Sequence, residues 1–474
     1  MEHEIEHGRM FSDIEDHLAK NVCVIGTEVR NSLFGEYDEY GETIVPIDET
    51  IFINYKPFKI VGMLKEYMTE EDRKKKEEAK KNKENPMDNF TEDLIKSINK
   101  DHGSKIAYNL ERDVSPTHVK RWISTGSRQL DYIIANRRDG GLPEGRIVEI
   151  FGPPSIGKSH IAIQIAKSTQ DMDGIVVYID TENATSVENL SLLGVDISKR
   201  FVYVDTHCTE EVLSITESTI MKAKAMDKDI PVTIIWDSVA ASSPKAELVG
   251  DYDQNSIGLQ ARAISKGMRK ITGVIANQNV LMICLNQIRT KIGVLYGDPT
   301  TTPGGKAIPF HSSVRIKLGA GQKIENKEKE VVGIHVSAKT IKNKVSAPFR
   351  ACKFEIHFGV GIKEHEQLFD ELRKHGEAEI SGKIIAVSGT GAWKHLTVSD
   401  AKTGEVLVEK KFYKSDFGEV LETPEYKCHL EDLIEHVFVR KMSDPSAAEV
   451  DTESYEEVRA IAADLEDTLA DLEV

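Results

Sequence analysis

The spacing of apolar residues changes several times along the chain, and the longest regular stretch runs from position 123 to about position 358. Within it, short apolar runs rich in β-branched residues alternate with segments of helical spacing. These runs lie at 146–151, 175–180, 201–204, 232–237 and 280–285. Because the runs are apolar on both faces and helices separate them, they predict a mostly parallel sheet covered on both sides. The pattern therefore predicts an α/β core.

The stretch before the core has a different pattern. Its strand-like runs lie at 43–45, 51–54 and 58–63. A charge-dense segment follows at 70–84, and its acidic residues balance its basic ones, which favours a solvated helix or linker over a DNA-contacting surface. A short amphipathic helix is predicted to begin near Thr91 and to end at Gly103. We predict a small amino-terminal domain of unknown role at 1–87 and a helix-and-strand segment at 88–122.

After the core, the pattern is that of a small mixed domain. Its strand-like runs lie at 383–387, 395–398 and 406–408. A helix is predicted with Thr423 as its cap and Pro424 in its first turn. We predict that the core occupies 123–361, that a small α+β domain occupies 362–445, and that an acidic tail occupies 446–474.

The net charge of the 474 residues is −17, which argues at first against a nucleic-acid partner, because phosphate contacts need Lys and Arg. The charge is unevenly distributed, however. Residues 449–474 contain ten acidic residues and one Arg, or −9, which leaves −8 for the remaining 448 residues. About half of the excess is thus a tail, which either screens a basic DNA-binding surface or only increases solubility.

The composition indicates neither a membrane segment nor a disulfide framework. No run of about 18 uninterrupted apolar residues occurs, and the first ten residues are acidic and His-bearing rather than basic and then apolar. The cysteines are far apart and form no C-x-x-C pair: Cys23, Cys208, Cys284, Cys352 and Cys428. We expect a soluble, cytoplasmic protein with reduced cysteines and no membrane partner.

A glycine-rich segment follows the first core run and fits the pattern G-x-x-x-x-G-K-[ST]. Its residues are Gly152, Pro153, Pro154, Ser155, Ile156, Gly157, Lys158 and Ser159. The glycines allow backbone N–H groups to surround phosphate oxygens, and the helix that follows adds positive potential. In such a loop Lys158 reaches the β and γ phosphates and the Ser159 hydroxyl ligates magnesium. The segment predicts a site for ATP with Mg²⁺.

Two acidic residues follow later core runs. Asp237 ends the run at 232–237, where an acid can complete the magnesium site together with Ser159. Glu182 follows the run at 175–180, which would put a carboxylate beside the phosphates. Glu182 is either the base that activates water or a helix-capping carboxylate.

A series of segments, in this order, resembles the RecA family of recombinases. They are ISTGS at 123–127, GLPEGRIVEI at 141–150, the glycine-rich loop, YIDTENA at 178–184, WDSVAA at 236–241, PKAE at 244–247, GLQAR at 258–262, NQIRTKIG at 286–293, TTPGG at 301–305 and KNKVSAPF at 342–349. The resemblance covers about 88–361, over half of the chain. It implies a RecA-like P-loop ATPase core that forms a filament on single-stranded DNA and exchanges strands with homologous duplex DNA, with 88–122 acting in oligomerisation.

The resemblance also implies roles for single residues. Glu182 would be the base that activates the attacking water. Gln287 would sense the γ-phosphate and couple it to the DNA loops. Lys342 and Lys344 would reach across a protomer boundary to the ATP of the neighbouring protomer, so that ATP lies at filament interfaces.

For DNA, the resemblance implies two loops, near 249–257 and 288–304. The phosphate contacts would come from Arg262, Ser265, Arg269, Arg289, Gly304 and Gly305, and Ile292 would insert between bases. Cations and backbone N–H groups on flexible loops can follow a sugar–phosphate chain without reading its sequence. Without the family context, an Arg on a helix such as Arg269 is more often a surface ion-pair residue. The block at 391–438, within the predicted domain at 362–445, resembles the small carboxyl-terminal domain that captures duplex DNA in the family.

Three positions depart from the family pattern. Asn189 stands where the family usually has an aromatic ring over adenine, Asn183 replaces a His that follows the base, and Pro309 replaces a Lys. These departures, together with the segment at 1–87, resemble divergent bacteriophage recombinases more than a housekeeping bacterial one.

Two other functions fit part of the sequence. A hexameric RecA-fold helicase shares the two nucleotide motifs, and closed rings rather than helical filaments in electron micrographs would identify it. A non-catalytic regulator would use the fold as a nucleotide-gated scaffold. A regulator is disfavoured by the presence of four residues that catalysis needs: Lys158, Asp237, Glu182 and Gln287. A turnover assay with and without DNA distinguishes a DNA-dependent ATPase from a non-catalytic regulator.

Overall fold

A computed structural model describes residues 5–8, 22–25, 29, 33, 45–53, 56–64, 86–113, 115, 117–250, 258–290 and 300–439. The chain divides into two compact units, Met1–His118 and Val119–Val474. None of the helices in these described ranges is long and apolar enough to span a bilayer. The finer division into domains at 87, 122, 361 and 445 stays a prediction.

The first unit contains a small sheet and one long helix. Its elements are β1 (Ile5–Gly8), β2 (Val22–Ile25), β3 (Thr50–Ile53), β4 (Lys56–Leu64) and α1 (Pro86–His102). β4 pairs with β1 and β3 in antiparallel fashion and with β2 in parallel fashion. The predicted strand at 58–63 is confirmed, as is the predicted strand at 51–54 as far as Ile53, since residue 54 lies outside the described ranges. The predicted strand at 43–45 is wrong at Val45, which is in no strand, and its other two residues lie outside the described ranges.

The predicted amphipathic helix exists but begins earlier than expected. α1 begins at Pro86 rather than near Thr91, because the fixed φ of proline suits the first helical turn. It ends at His102, directly before Gly103, whose φ of 62° is left-handed. The predicted end is therefore confirmed.

The second unit begins with the α/β core. Its strands are β5 (Trp122–Ile123), β6 (Leu142–Pro143), β7 (Ile147–Gly152), β8 (Ile175–Asp180), β9 (Phe201–Asp205), β10 (Val232–Asp237), β11 (Leu281–Gln287), β12 (Arg289–Thr290), β13 (Thr300–Thr301), β14 (Val314–Glu325), β15 (Val331–Asn343), β16 (Ala351–His357) and β17 (Gly361–Lys363). Its helices are α2 (Arg128–Ala135), α3 (Lys158–Asp171), α4 (Val187–Leu192), α5 (Thr209–Met226), α6 (Lys245–Val249), α7 (Leu259–Asn277) and α8 (Ala307–His311). All five predicted core strands are present.

Nine of these strands form one sheet in the order β17-β16-β15-β14-β7-β11-β10-β8-β9. The six strands from β14 to β9 run parallel, and β15, β16 and β17 are antiparallel additions at one end. The predicted mostly parallel sheet is confirmed. The antiparallel end was not predicted, because strands such as β15 alternate buried and exposed residues and are not apolar on both faces.

Helices cover both faces of the central strands. On one face, Leu130 of α2 and Ile161 of α3 belong to a buried cluster with residues of β7, β8 and β11. On the other, Val212 of α5 and Met268 of α7 belong to a second buried cluster. Burial of each such side chain contributes about 1.5–3 kcal/mol. The core therefore lies in two layers, with the strand ends at its rim.

A small α+β domain completes the described part of the second unit. Its elements are α9 (His365–His375), β18 (Glu377–Ile380), β19 (Lys383–Ser388), β20 (Trp393–Asp400), β21 (Val406–Tyr413), α10 (Phe417–Glu422) and α11 (Pro424–Phe438). The four strands form an antiparallel sheet in chain order. Thr423 is the N-cap residue of α11, and Pro424 is its first residue, as predicted. The acidic tail lies outside the described residues.

Arg350 connects this domain with the core through hydrogen bonds. Its guanidinium donates to the carbonyl of Tyr132 at 3.0 Å, to Oδ1 of Asn136 at 2.9 Å, and to the carbonyl of Phe438 at the end of α11. Arg138 forms an ion pair with Glu431 on the same helix. Polar contacts therefore connect α11 with the core just after α2 and just before β16.

Candidate nucleotide-binding and DNA-binding site

The predicted nucleotide residues lie at the carboxyl ends of neighbouring parallel strands. β7 ends at Gly152, β8 at Asp180, β10 at Asp237 and β11 at Gln287. In the strand register, Asp237 stands opposite Asp180 and Gln287 stands opposite Gly152. The carboxyl edge of an open α/β sheet is where such folds bind ligands. The topology thus gathers the predicted residues at one edge.

The glycine-rich loop connects β7 with α3, and two of its glycines are required by close packing. A Cβ at Gly157 would lie 2.3 Å from Cδ1 of Ile356, and one at Gly152 would lie 2.7 Å from the carbonyl oxygen of Leu318. Gly157 has a φ of 91° and caps α3 without a side-chain hydrogen bond. The first N–H groups of α3 therefore have no side-chain cap and can bind an anion.

The Lys158 ammonium points back over this loop. Nζ donates to the carbonyl of Pro153 at 2.7 Å and to that of Gly152 at 3.2 Å. Burial lowers the pKa of Lys158, and the negative charges of Asp237 and Glu182 oppose this effect. Carbonyl dipoles of the loop are the hydrogen-bond partners of this partly buried ammonium. A negatively charged phosphate oxygen would stabilise its charge better than these neutral carbonyls do.

Asp237 is a buried carboxylate beside the loop. Its Oδ2 accepts from the Tyr178 hydroxyl at 2.6 Å. Burial raises the pKa of Asp237; hydrogen bonds from Tyr178 and Ser159 oppose this shift, while the charges of Glu182 and Asp180 reinforce it. A carboxylate and a hydroxyl side by side are the hard oxygen ligands that Mg²⁺ prefers. Ser159 and Asp237 therefore fit the ion that the sequence predicts.

Glu182 is exposed, and its side chain is held by two donors. The Ser238 hydroxyl and Nε2 of Gln287 both donate to Oε1, the latter at 3.2 Å. The alternative role of Glu182 as a helix cap does not hold. The next helix, α4, has Ser186 as its N-cap residue, whose hydroxyl accepts from the backbone N–H of Asn189 at 3.0 Å.

A buried polar network behind the loop was not predicted. Nε of Arg315 donates to Oε2 of Glu149 at 2.5 Å, and Nδ2 of Asn286 donates to Oε1 at 3.0 Å. The same Asn286 amide donates to the carbonyl of Pro303 at 3.1 Å. The network joins β7 to the end of the second predicted DNA loop. An acidic residue within an otherwise apolar strand run was the signal for it in the sequence.

Lys342 and Lys344 lie at the end of β15 and just beyond it. Nζ of Lys342 donates to the carbonyls of Pro309 and Phe310 at 2.6 and 2.9 Å. Burial lowers the pKa of Lys342, and the charges of Lys344 and Arg315 lower it further. Lys344 is exposed. Their predicted action on a neighbouring protomer stays a prediction.

The predicted DNA contacts on α7 share one side of that helix. Arg262, Ser265 and Arg269 are spaced three and four residues apart, which places them on the same face. Both arginines are exposed, and Ser265 is half-buried. A surface ion pair is the alternative for Arg269.

The two predicted glycines pack against the same helix. A Cβ at Gly304 would lie 2.9 Å from Cδ1 of Ile264, and one at Gly305 would lie 2.9 Å from Cβ of Ala261. Gly305 is therefore adjacent to the residue that precedes Arg262. Both glycines have positive φ.

The remaining residues that are predicted to contact DNA lie at or beyond the ends of the described ranges. Arg289 is exposed in β12, which pairs with β13 in antiparallel fashion, so that the two ends of the second loop lie side by side. Ile292 lies outside the described residues, as do 251–257 of the first loop and 291–299 of the second. Their roles stay predictions.

Comparisons with known proteins identify the family. Residues 90–363 match the model of the RecA N-terminal domain. Three relatives, each called protein RecA and found in Staphylococcus aureus strains JH9, Newman and USA300 / TCH1516, are 37% identical over 303 residues, or 64% of this chain and 82% of theirs. Residues 2–75, most of which lie outside the described ranges, match the model of the MacB-like periplasmic core domain.

The match to the RecA N-terminal domain covers more than half of the chain and includes every predicted nucleotide and DNA residue. RecA proteins use ATP and magnesium, and they are DNA-dependent ATPases with strand-exchange activity. The chain therefore belongs to the RecA family and is an ATP-dependent recombinase of DNA repair and recombination.

Proposed function

We propose that ATP binds at the loop from Gly152 to Ser159, that Ser159 and Asp237 hold its Mg²⁺, and that Glu182 is the catalytic base. The observation that carries this proposal is the hydrogen bond from Nε2 of Gln287 to Glu182. Gln287 ends β11, directly before the second predicted DNA loop. One contact therefore connects the base to the segment that would bind DNA.

In this proposal Glu182 takes a proton from the attacking water. The water oxygen bonds to the γ-phosphorus, the bond to the β,γ-bridging oxygen breaks, and ADP leaves. Both donors to Glu182 reach Oε1, which leaves Oε2 as the oxygen that accepts the proton. Exposure of Glu182 gives water access to it.

Lys158 supplies positive charge to the phosphates. Its ammonium exchanges two loop carbonyls for phosphate oxygens, and its partial burial strengthens that interaction, because charges attract more strongly away from water. When it is bound, Mg²⁺ neutralises charge on the β and γ phosphates. Lys342 and Lys344 of one protomer supply further positive charge to the ATP of its neighbour in a filament.

We further propose that the face formed by Arg262, Ser265 and Arg269, with Arg289 and the two glycines, binds the phosphates of single-stranded DNA. Exposed cations and glycine N–H groups on one surface suit a sugar–phosphate chain. Homologous duplex DNA would be captured by the domain at 362–445 and read by base pairing. We place this activity in the cytoplasm. Asn183, Asn189 and Pro309, which differ from the residues usual in the family, favour a phage-type recombinase.

Hydrolysis of ATP with and without single-stranded DNA, alongside electron micrographs of the same samples, tests the proposal. We expect hydrolysis to rise when DNA is added and helical filaments to form. Closed rings would indicate the helicase alternative. Turnover that is equally absent with and without DNA would indicate a nucleotide-gated regulator.

A further inference from the structure

His207 lies between β9 and α5, and its ring faces the segment that carries Glu182. Nδ1 lies 2.8 Å from the carbonyl oxygen of Thr181, and Nε2 lies 3.4 Å from Nδ2 of Asn183. A ring nitrogen this close to a carbonyl must carry a proton, so Nδ1–H donates to Thr181 and Nε2 accepts from the Asn183 amide. The imidazole therefore contacts the residues on both sides of Glu182.

The contact with Thr181 fixes the peptide group that precedes the base. The Thr181 carbonyl and the Glu182 N–H belong to one planar unit. The N–H donates to Oδ1 of Asp180 at 2.9 Å, while the carbonyl accepts from His207 on the opposite side. Hydrogen bonds thus fix both the carbonyl and the N–H of this peptide group, and they thereby fix the position of the Glu182 Cα, from which the side chain extends.

The residue after Glu182 has a demanding backbone conformation. Asn183 has a φ of 53°, in the left-handed region that Asn tolerates better than most residues. This is also the position at which the family pattern has a His. A histidine from a different part of the fold, His207, contacts Asn183 here.

The backbone of His207 connects this cluster to the segment at 243–245. Its carbonyl accepts from the N–H of Ser243 at 2.8 Å, and the Ser243 carbonyl accepts from the N–H of Thr209 at 2.9 Å. Oε2 of Glu210 accepts from the N–H of Lys245, the first residue of α6, at 2.8 Å. These three hydrogen bonds connect the segment that carries His207 with Ser243 and with the start of α6.

We propose that His207 is a positioning residue for Glu182: its imidazole holds the Thr181–Glu182 peptide in the orientation for proton transfer. The proposal rests on the proposed function, because it requires Glu182 to be the base. His207 itself touches neither the attacking water nor the phosphates in the proposed site. It acts through the peptide group.

Three substitutions separate this role from a general structural one. In His207→Asn the amide N–H takes the place of Nδ1–H, whereas in His207→Gln it takes the place of Nε2. Because a small displacement of a catalytic group costs about 10-fold or more, we expect His207→Ala and His207→Gln to lower the DNA-dependent kcat about 10-fold, with little change in the KM for ATP. We expect His207→Asn to recover most of the loss. His429→Ala, in α11, is the matched control.

The measurement is steady-state ATP hydrolysis on single-stranded DNA, with thermal unfolding of each variant. A normal kcat in His207→Ala overturns the proposal, as does a loss that His207→Asn fails to recover. If His207→Ala does not fold, the comparison of the Asn and Gln variants decides, and equal rates overturn the proposal. Glu182→Gln is measured in parallel: if it retains full turnover, the proposed function itself fails, whereas a normal His207→Ala beside an inactive Glu182→Gln overturns this inference alone.

Discussion

The nucleotide edge and the seam between the core and the carboxyl-terminal domain are two regions of the second unit that contain buried carboxylates. Burial raises the pKa of Asp237 in the first region and those of Asp131 and Glu364 in the second. Their surroundings differ. Asp237 lies beside a loop with N–H groups that no side chain caps and beside the exposed Glu182. The seam carboxylates are buried to a similar extent, but they lie against α2 and the residues directly before it.

The seam carboxylates have hydrogen-bond donors within the fold. Asp131 accepts from the hydroxyl of Ser124 at 2.6 Å and from the N–H and hydroxyl of Thr125 at 2.8 and 2.7 Å. Glu364 accepts from the Ser127 hydroxyl and from the first N–H groups of α2. A raised pKa therefore does not identify a functional site by itself. The nucleotide edge differs in having groups left to be satisfied by a ligand.

Substitutions at the nucleotide edge should lower ATP hydrolysis, and we expect the largest loss in Lys158→Ala. The variant removes the ammonium that would bind the phosphates, so we expect hydrolysis to fall about 1,000-fold, because both binding and charge stabilisation are lost. The check is steady-state turnover with single-stranded DNA. Near-normal turnover would mean that the site lies elsewhere.

The next effect tests whether the nucleotide edge is completed by a second protomer. Lys342→Ala with Lys344→Ala should reduce hydrolysis about 100-fold in assembled protein, at the lower end of the loss when electrostatic stabilisation of a transition state is removed. Mixing this variant with Lys158→Ala creates interfaces that pair an intact loop with intact lysines, so activity should return. No recovery at any mixing ratio would contradict action across the interface.

A similar loss is expected from Glu182→Gln, which keeps the size of the side chain and removes its basicity. We expect kcat to fall about 100-fold, the usual contribution of a general base. Nucleotide binding and filament formation should remain, which a fluorescent-nucleotide titration and micrographs measure. Loss of nucleotide binding would make Glu182 a structural residue.

The seam should respond to pH in stability rather than in turnover. Burial raises the pKa of Asp131 to about 7. The folded chain therefore binds the proton of the Asp131 carboxyl more tightly than the unfolded chain does. The stability that this proton contributes is complete below the unfolded pKa of about 4 and is lost as the pH rises toward 7. The free energy of unfolding falls by at most about 1.4 kcal/mol per pH unit over this range. Asp131→Asn should flatten this dependence in urea unfolding between pH 5 and pH 7.5. The nearby exposed Asp139→Asn is the control, and an unchanged slope in Asp131→Asn would contradict the assignment.

The sequence predicted the parts of the fold that depend on local pattern. β8 and β10 have the predicted bounds, because each is apolar on both faces and ends in an acid. Pro424 predicted the start of α11, because the fixed φ of proline suits the first turn of a helix; Thr423 occupies the N-cap position, but its hydroxyl donates to the carbonyl of Glu419 at 2.8 Å. The P-loop could be identified because its chemistry needs a fixed local spacing.

The unpredicted features depend on contacts between distant residues. Glu149 meets Arg315 across 166 positions, and His207 meets Thr181 across 26. No local spacing encodes such pairs. The family resemblance supplied the roles of Gln287 and Lys342, and the structure adds the Gln287–Glu182 hydrogen bond and the intrachain contacts of Lys342.

If Gln287 connects the base Glu182 to DNA, its amide should determine the ratio of ATP hydrolysis rates with and without single-stranded DNA. The wild-type ratio should be well above one. In Gln287→Ala the ratio should fall to about one while the variant still binds single-stranded DNA, because the lost amide removes the link but leaves the cations of α7 in place. Full DNA stimulation in Gln287→Ala would show that the Gln287 amide does not connect Glu182 to DNA.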